Sequence, residues 1–216
     1  MLDSFGRKID YMRFSITDRC DLRCRYCMPK NMVFSDKKDL LTLEDLKNLS
    51  QSLIKIGIKK IRITGGEPLV RKDLIAFIKY LNSFLKKDIL KEVTITTNGT
   101  LLEKHAEELV ENGIKRINVS IDSIIPEKYE FITNGGRLEK VISGVMKARK
   151  LGIKVKINTV LIKNFNIDEI ISLANWCSQL SMNLSFIEIM PIGDMEYSRK
   201  DQYFPITSAT EIIKDN

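Results

Sequence analysis

The chain has 216 residues, 44% of them apolar, which suits one compact domain or slightly more and argues against a disordered protein. Its net charge of +7 favours anionic ligands. The lysines are scattered and form no basic run with aromatics between, which argues against nucleic-acid binding. No apolar stretch has the length of a signal peptide or of a membrane span. Few cysteines, clustered rather than paired, suit a reducing compartment, so we expect a cytoplasmic protein with no membrane partner.

Apolar runs alternate with turn residues and predict six units of strand, loop and helix. The predicted strands are Asp10–Thr17, Lys60–Thr64, Glu92–Thr96, Lys115–Ile121, Ile153–Leu161 and Asn183–Met190. The predicted helices are Thr42–Lys55, Lys72–Lys86, Leu102–Glu111 and Asp168–Leu180, and Thr42 and Asp45 are predicted to cap the first of them. Before Asp168, a further helical region is interrupted at Asn134-Gly135-Gly136 and resumes to Lys150. This order predicts an α/β fold with a parallel sheet, either a six-unit partial barrel or an open doubly wound sheet.

Polar and apolar residues alternate within the predicted strands, as where Phe14 and Ile16 stand against Arg13 and Ser15. Parallel strands covered by helices on both faces usually read as continuous apolar runs. One face should therefore pack on helices and the other should line a polar lumen, because unpaired charges in a dry core would cost on the order of several kcal/mol each. The pattern favours a partial (β/α)6 TIM-like barrel.

The predicted lumen is cationic and suits a multiply charged anion such as a nucleoside triphosphate. In the alternative, its cations pair with Glu188 or Asp122 in a purely structural network. The cations outnumber these carboxylates, which favours ligand binding. The residues assigned to this face are Arg13, Arg62 and Lys156, with Thr96, Ser120 and Asn158 as neutral neighbours.

Cys20, Cys24 and Cys27 form a CxxxCxxC motif, and thiols this close together are typical of a metal or cluster site. Zinc normally takes four ligands, and the sole histidine, His105, is far away in the sequence. A four-iron cluster held by three thiolates leaves one iron open for a small molecule. A zinc site completed by a carboxylate and a redox group are the alternatives.

Two further motifs stand at the carboxyl ends of predicted strands, where parallel α/β folds bind ligands. The glycines of Gly65-Gly66-Glu67-Pro68 allow close approach of a ligand, although a tight turn before a helix also explains them. Thr96-Thr97-Asn98-Gly99 is explained by an ordinary turn.

The CxxxCxxC motif, with an aromatic residue before its last cysteine, and the Gly-Gly-Glu turn together resemble the radical S-adenosylmethionine (SAM) superfamily. The resemblance implies a 4Fe-4S cluster on the three cysteines that binds SAM and cleaves it to a 5'-deoxyadenosyl radical. It assigns no catalytic side chain. The implied SAM contacts are Tyr26, Gly66, Ser120 and Met190, of which Met190 could instead be a core methionine.

Six stretches resemble more narrowly the GTP 3',8-cyclase family, also called molybdenum cofactor biosynthesis protein A. They span residues 13–29, 60–71, 96–102, 118–123, 156–160 and 186–193. The resemblance implies a lyase for the first step of molybdenum cofactor biosynthesis, joining the ribose 3' carbon of GTP to guanine C8. It implies that Arg13, Arg62, Thr96 and Lys156 contact GTP. An electron-donor protein and a downstream pyranopterin-forming protein are further implied partners, and a homodimer is allowed.

One departure from that family concerns its second cluster, which a C-terminal CxxC pair and a later cysteine bind and for which this chain has no cysteines. We expect a core over residues 1–193 and the start of a truncated segment over 194–216. Within that segment Ser208 and Glu211 resemble a capping box at the start of a helix. Cys177 should be a buried structural thiol. The alternatives are a radical SAM enzyme with another substrate, such as a peptide, and a non-catalytic metal- or nucleotide-binding domain.

Overall fold

A single parallel sheet organises the chain. The computed structural model describes residues 2–29, 31–190 and 199–215. The six strands are β1 (Tyr11–Ser15), β2 (Lys60–Thr64), β3 (Glu92–Thr97), β4 (Arg116–Ser120), β5 (Lys154–Leu161) and β6 (Asn183–Glu188). Each strand pairs in parallel with the next one along the chain, and β1 and β6 do not pair with each other within the described ranges. The fold is therefore the predicted α/β partial (β/α)6 barrel, open between its first and last strands.

The first six helices stand between successive strands and cover one face of the sheet, and two more follow β6. They are α1 (Leu43–Lys55), α2 (Leu74–Lys86), α3 (Leu102–Glu111), α4 (Pro126–Thr133), α5 (Leu138–Lys150), α6 (Ile170–Gln179), α7 (Arg199–Gln202) and α8 (Ile206–Lys214). The predicted bounds of α3 and β2 are confirmed, and other elements differ by one or two residues at their ends. No helix in the described part of the chain is both long and apolar enough to cross a bilayer.

Local sequence signals explain where several helices begin. The predicted capping box of α1 is confirmed: Thr42 Oγ1 accepts from Asp45 N–H at 3.2 Å, and Asp45 Oδ2 accepts from Thr42 N–H at 2.9 Å. The break predicted at Asn134-Gly135-Gly136 separates α4 from α5, and Asn134 adopts a left-handed conformation there with φ of 59°. The interruption therefore divides one predicted helical region into two helices.

The core lies between the sheet and the helices. Apolar residues on the helix-covered face, such as Ile63, Ile95 and Ile117, are completely buried. They pack against buried residues of the surrounding helices in one large cluster. Cys177 belongs to this cluster and is 2% exposed, as predicted for a structural thiol. The opposite face, called the inner face here, is where the polar strand residues lie.

The predicted capping box of Ser208 and Glu211 is wrong. α8 begins at Ile206 after Pro205, so Ser208 lies inside the helix. The N-cap residue, Pro205, makes no side-chain hydrogen bond to the first turn. The Ile206 N–H instead donates to Glu188 Oε1 of β6 at 2.7 Å, and α8 packs on α6 and β6. The predicted boundary between residues 193 and 194 lies outside the described residues.

Candidate active site

The cysteine loop, residues 17–41 between β1 and α1, lies at the carboxyl edge of the sheet. The Arg25 N–H donates to Ile132 O at 2.9 Å, and the Arg23 N–H donates to Thr133 O at 3.2 Å. Both acceptors belong to the last turn of α4, whose carbonyls have no partner within the helix. The end of α4 therefore anchors the backbone on both sides of Cys24.

Arg71 joins the two ends of the cysteine loop. Its Nη1 donates to Ile16 O at 2.6 Å, just before the loop, and its Nη2 donates to Leu41 O at 2.8 Å, at the end of the loop. Asp73 accepts from Nε at 2.6 Å and from Nη2 at 3.1 Å. The planar guanidinium thus holds the base of the loop closed, and a point charge such as lysine's ammonium cannot make all of these contacts.

The two glycines after β2 let that turn pack directly on the start of the cysteine loop. The Gly66 N–H donates to Thr17 O, and the Glu67 N–H donates to Arg19 O, each at 2.7 Å. A Cβ atom on Gly66 would lie 2.3 Å from Arg19 O, and one on Gly65 would lie 2.6 Å from Thr17 O. The close approach that these glycines allow is therefore an approach to the backbone of the cysteine loop.

The three cysteines of the motif lie near one another, and none of them forms a disulfide. Burial raises the pKa of Cys24 well above its usual value, and the nearby Asp122, Cys27 and Cys20 raise it further. Burial is also the main cause of the raised pKa of Cys20, to which Asp21, Glu67 and Cys27 contribute. Each thiolate is thus close enough to disfavour the charge of the others, as expected for a site that a positive metal centre would complete.

No three Cys, His, Asp or Glu side chains of the described residues close around a single metal ion. A 4Fe-4S cluster contributes its own iron and sulfide atoms, so it holds its thiolates further apart than one ion does. His105 lies on α3, where its Nδ1 is 2.9 Å from Glu108 Oε2, and it is not a fourth ligand beside the cysteines.

Glu67 is completely buried and links the Gly-Gly-Glu-Pro turn after β2 to the Thr-Thr-Asn-Gly stretch at the end of β3. Its Oε1 accepts from Leu69 N–H at 2.9 Å and from Thr97 Oγ1 at 2.8 Å, and its Oε2 accepts from Asn98 N–H at 2.6 Å. Burial raises the pKa of Glu67 to about 7, although these three donors oppose the shift. The carboxyl group fixes the end of β3 beside the cysteine loop.

Asn98 carries that connection on to the cysteines. Its Nδ2 donates to Asp21 Oδ1 at 2.7 Å and lies 3.8 Å from Cys20 Sγ, within reach of the large sulfur acceptor. Thr100 Oγ1 donates to the other oxygen of Asp21 at 2.5 Å. What the sequence suggested was an ordinary turn is therefore a polar bridge between β3 and the cysteine motif.

Tyr26 closes an apolar cavity beside the last cysteine. Its hydroxyl donates to Asp122 Oδ2 at 2.7 Å, and Asp122 Oδ1 accepts from Val160 N–H at 2.8 Å. Burial raises the pKa of Asp122 to about 6. The cavity holds about 200 Å³ and is lined by Tyr26, Cys27, Val160, Ile187, Glu188, Ile189 and Met190. Two predicted SAM contacts, Tyr26 and Met190, therefore meet in one cavity, and Met190 is 60% exposed rather than a core residue.

The register of the strands brings the predicted substrate residues side by side on the inner face. Arg13 of β1 lies opposite Arg62 of β2. One step closer to the carboxyl edge, Thr96 of β3 lies opposite Asn118 of β4, and Asn118 lies opposite Lys156 of β5. In the next step Ser120 lies opposite Asn158, while Gly66 is in the turn above. The residues predicted to bind GTP and SAM on these strands thus lie at successive positions along the inner face of the sheet.

Three polar atoms of this surface have no partner in the described part of the chain. Arg62 Nε, Thr94 Oγ1 and Asn118 Oδ1 are buried without a hydrogen bond, and Thr94 lies opposite Arg62 in the register. The Arg62 guanidinium lies 5.5 Å from the centre of the Tyr11 ring. Buried polar atoms in native proteins nearly always have a partner, so these three atoms mark a position that a ligand or ordered water completes.

The carboxylates that could have neutralised the inner face are used elsewhere. Asp122 binds Tyr26 and Val160. Glu188 lies on the helix-covered face, opposite Leu161 in the register, so its predicted place among the lumen cations is wrong. Ile187 points to the inner face instead. At the carboxyl end of β6 the inner face borders the apolar cavity, whereas the helix-covered face meets the start of α8.

Within residues 2–29, 31–190 and 199–215, no ion pair joins a carboxylate to the three predicted substrate cations, Arg13, Arg62 and Lys156. The alternative of a purely structural charge network therefore lacks the pairs that it requires. Sequence reasoning missed Arg71 and the bridge of Asp21, Asn98 and Thr100. The polar run directly after β3 was the only signal for the bridge.

Comparison with known proteins identifies the family. The profile of the Radical SAM superfamily matches residues 14–177. The chain belongs to the radical SAM superfamily. The crystal structure of Streptococcus suis SuiB bound to S-adenosylmethionine superposes on this radical SAM chain with a TM-score of 0.75 at 19% identity, covering 95% of this chain and 47% of SuiB. That likeness shows the shared fold.

Two curated relatives are much closer in sequence. The GTP 3',8-cyclase of Bradyrhizobium diazoefficiens is 49% identical over 207 residues, and that of Nitrobacter winogradskyi is 50% identical over the same length. Each match covers 96% of this radical SAM chain and 60% of the relative. The chain therefore spans about 60% of the length of the curated relatives that it matches.

Membership of the superfamily implies a 4Fe-4S cluster and SAM, and the residues present fit both. The cysteine loop gathers three thiols and no histidine, which is a donor set for iron and sulfide rather than for a closed zinc site. The cavity beside Cys27 offers apolar walls at the same edge of the sheet. A ligand of the cluster can thus lie between the thiols and the inner face.

Proposed function

We propose that the chain is the catalytic core of a GTP 3',8-cyclase, with GTP bound on the inner face below the cysteine loop. The support from sequence is the near 50% identity to GTP 3',8-cyclases over 207 residues. The observation that carries the proposal is the uncompensated cationic surface of Arg13, Arg62 and Lys156, with the partnerless Arg62 Nε and Asn118 Oδ1.

The proposed substrate fits the spacing of these cations. Arg13 and Arg62 are on adjacent strands, and Lys156 is three strands away from Arg62. Neighbouring strands lie about 4.8 Å apart, so about 14 Å separates the strand positions of Arg62 and Lys156 when measured along the curved sheet. The cations are therefore spread over the inner face, an arrangement that one phosphate does not fill. An elongated nucleoside triphosphate suits it, with its phosphates at the arginine pair and Lys156, Thr96 and Asn118 beside its other end.

Three cysteines are proposed to hold the cluster: Cys20, Cys24 and Cys27. The cluster and SAM, when bound, supply a 5'-deoxyadenosyl radical. The chain's own residues orient SAM: Tyr26 and Met190 offer apolar contact for adenine, Ser120 a hydroxyl for the carboxylate, and Gly66 a backbone without a side chain for the amino group. Asp122 holds the Tyr26 hydroxyl, so the ring keeps its orientation in the cavity wall.

The proposal includes the partners that such a reaction needs. They are an electron-donor protein and a downstream protein that forms the pyranopterin, while a homodimer stays a prediction. A second cluster is not assigned to this chain, which has no fourth cysteine other than the buried Cys177. A reducing cytosol is the proposed location, since the cysteines are few and clustered rather than paired.

Anaerobic reconstitution with iron and sulfide tests the proposal in two stages. With dithionite and SAM, the chain should form 5'-deoxyadenosine. Equilibrium dialysis should then show GTP binding that Arg62→Ala or Lys156→Ala weakens about 10- to 100-fold, as expected for the loss of a hydrogen bond to a charged group. Lys79→Ala, an exposed cation on α2, is the matched control and should bind GTP as the wild type does.

The outcomes separate the competing functions. SAM cleavage without GTP binding would favour a radical SAM enzyme with another substrate, such as a peptide. Metal binding without 5'-deoxyadenosine would favour a non-catalytic domain. If Arg62→Ala and Lys156→Ala lowered SAM cleavage as much as GTP binding, their assignment to the substrate would be refuted.

A further inference from the structure

The side-chain amide of Asn98 faces the first cysteine of the motif. Its Nδ2 lies 3.8 Å from Cys20 Sγ and donates to Asp21 Oδ1 at 2.7 Å. Sulfur is larger and more diffuse than oxygen, so an N–H···S hydrogen bond is longer than an N–H···O one. A donor group thus stands next to a thiol that the proposed cluster uses.

The orientation of this amide is decided by its other end. Asn98 Oδ1 accepts from the Thr100 N–H at 3.0 Å, and the Thr100 hydroxyl proton is already donated to Asp21. A flipped amide would set its NH₂ group against the Thr100 N–H and its oxygen against the Asp21 carboxylate. Only the orientation with NH₂ toward Cys20 suits both the Thr100 N–H and the Asp21 carboxylate.

The position of the amide is fixed by the backbone as well. The Asn98 N–H donates to Glu67 Oε2 at 2.6 Å, and Glu67 is completely buried. The donor is therefore held at its place by a buried carboxyl group on one side and by Thr100 and Asp21 on the other. Such a preorganised group needs no rearrangement to act on a neighbouring sulfur.

We propose that the Asn98 amide is a hydrogen-bond donor to the cluster through Cys20 and raises the reduction potential of the cluster. Hydrogen bonds to the sulfurs of iron–sulfur clusters help to set their potentials. A donor stabilises negative charge on the thiolate, and that charge is greatest when the cluster is reduced. Asn98 therefore makes this cluster easier to reduce.

The inference rests on the proposed assignment of Cys20 as a cluster ligand and is independent of GTP. Cys20→Ala tests the assignment separately: it should lower the iron bound per reconstituted chain. If Cys20→Ala left the iron content unchanged, the ligand assignment would fail. A failure confined to the Asn98 variants would overturn only the present inference.

Redox titration of the reconstituted chain, followed by electron paramagnetic resonance without SAM, tests the role of Asn98. Asn98→Ala removes the donor and should shift the potential to a more negative value. Asn98→Asp replaces the donor by a negative charge beside Asp21 and should shift it further. Asn112→Asp, at the half-buried C-cap of α3 on the opposite edge of the sheet, is the matched control and should not shift it. Equal potentials for wild type and Asn98→Ala, at equal iron content, would overturn the proposal.

A second measurement needs no variant. Wild-type chain is prepared with asparagine that carries ¹⁵N only in its side-chain amide. The reduced cluster should then show a ¹⁵N hyperfine coupling in pulsed electron paramagnetic resonance. The absence of any ¹⁵N coupling would contradict the hydrogen bond even if the Asn98 variants failed to assemble a cluster.

Discussion

Replacing Glu67 by glutamine should change how the stability of the cluster-free chain depends on pH. Glu67 is completely buried, and its two oxygens accept from Leu69, Thr97 and Asn98. Glutamine keeps the shape of the side chain but cannot ionise. It also presents an NH₂ group to one of these donors, which should cost about 1–3 kcal/mol at a pH where both side chains are neutral.

The sign and size of the pH effect follow from the raised pKa. Burial raises the pKa of Glu67 from 4.5 to about 7, so the native chain holds this proton more tightly than the unfolded chain. The stabilisation from this proton is complete below pH 4.5 and is lost as the pH rises to 7. At 1.36 kcal/mol per pKa unit, the loss for the wild type is about 3 kcal/mol, and Glu67→Gln lacks it.

Urea unfolding followed by circular dichroism measures the difference directly. The free energy of unfolding should be compared for wild type and Glu67→Gln at several pH values between 4.5 and 7.5. The variant should be the less stable protein at pH 4.5, and the gap should narrow as the pH rises. Asp122, with a pKa raised to about 6, titrates in the same range but is present in both proteins, so it cancels in the difference. Parallel curves for the two proteins would refute the reasoning.

Two further substitutions test how the cysteine loop is held. Arg71→Lys loses some of the hydrogen bonds to Ile16 O, Leu41 O and Asp73, so it should lower the free energy of unfolding by about 1–3 kcal/mol. Amide hydrogen exchange in residues 17–41 should become faster, and Lys72→Arg is the control. Unchanged exchange in the Arg71→Lys variant would count against this role. Gly66→Ala places a Cβ 2.3 Å from a backbone oxygen, so it should lower the free energy of unfolding, measured in urea, by about 1–3 kcal/mol. A variant as stable as the wild type would show that the turn and the cysteine loop are not packed this tightly.

Local signals in the sequence were sufficient for most of the fold. Thr42 and Asp45 cap α1 as predicted, and α3 has the predicted bounds, because caps and stop residues act over a few positions. The alternation of polar and apolar residues correctly predicted a polar inner face. It did so because side chains of a strand point to opposite faces at every step.

Contacts between distant segments account for what the sequence did not reveal. Ser208 fits a capping pattern, but the group that satisfies the first turn of α8 is Glu188, which belongs to a different element. Asn98 looks like a turn residue until Cys20 and Glu67 are brought beside it. Residue type shows that a side chain can bond, but only the fold determines which partner it meets.

The anchoring of the cysteine loop to the end of α4 has a consequence for assembly. In small zinc domains, folding waits for the metal, and the binding energy is spent on ordering the chain. Here the backbone on either side of Cys24 is already pinned by two hydrogen bonds that involve no metal. Iron and sulfide are therefore not the only groups that order the cysteine loop, because the end of α4 holds part of its backbone as well.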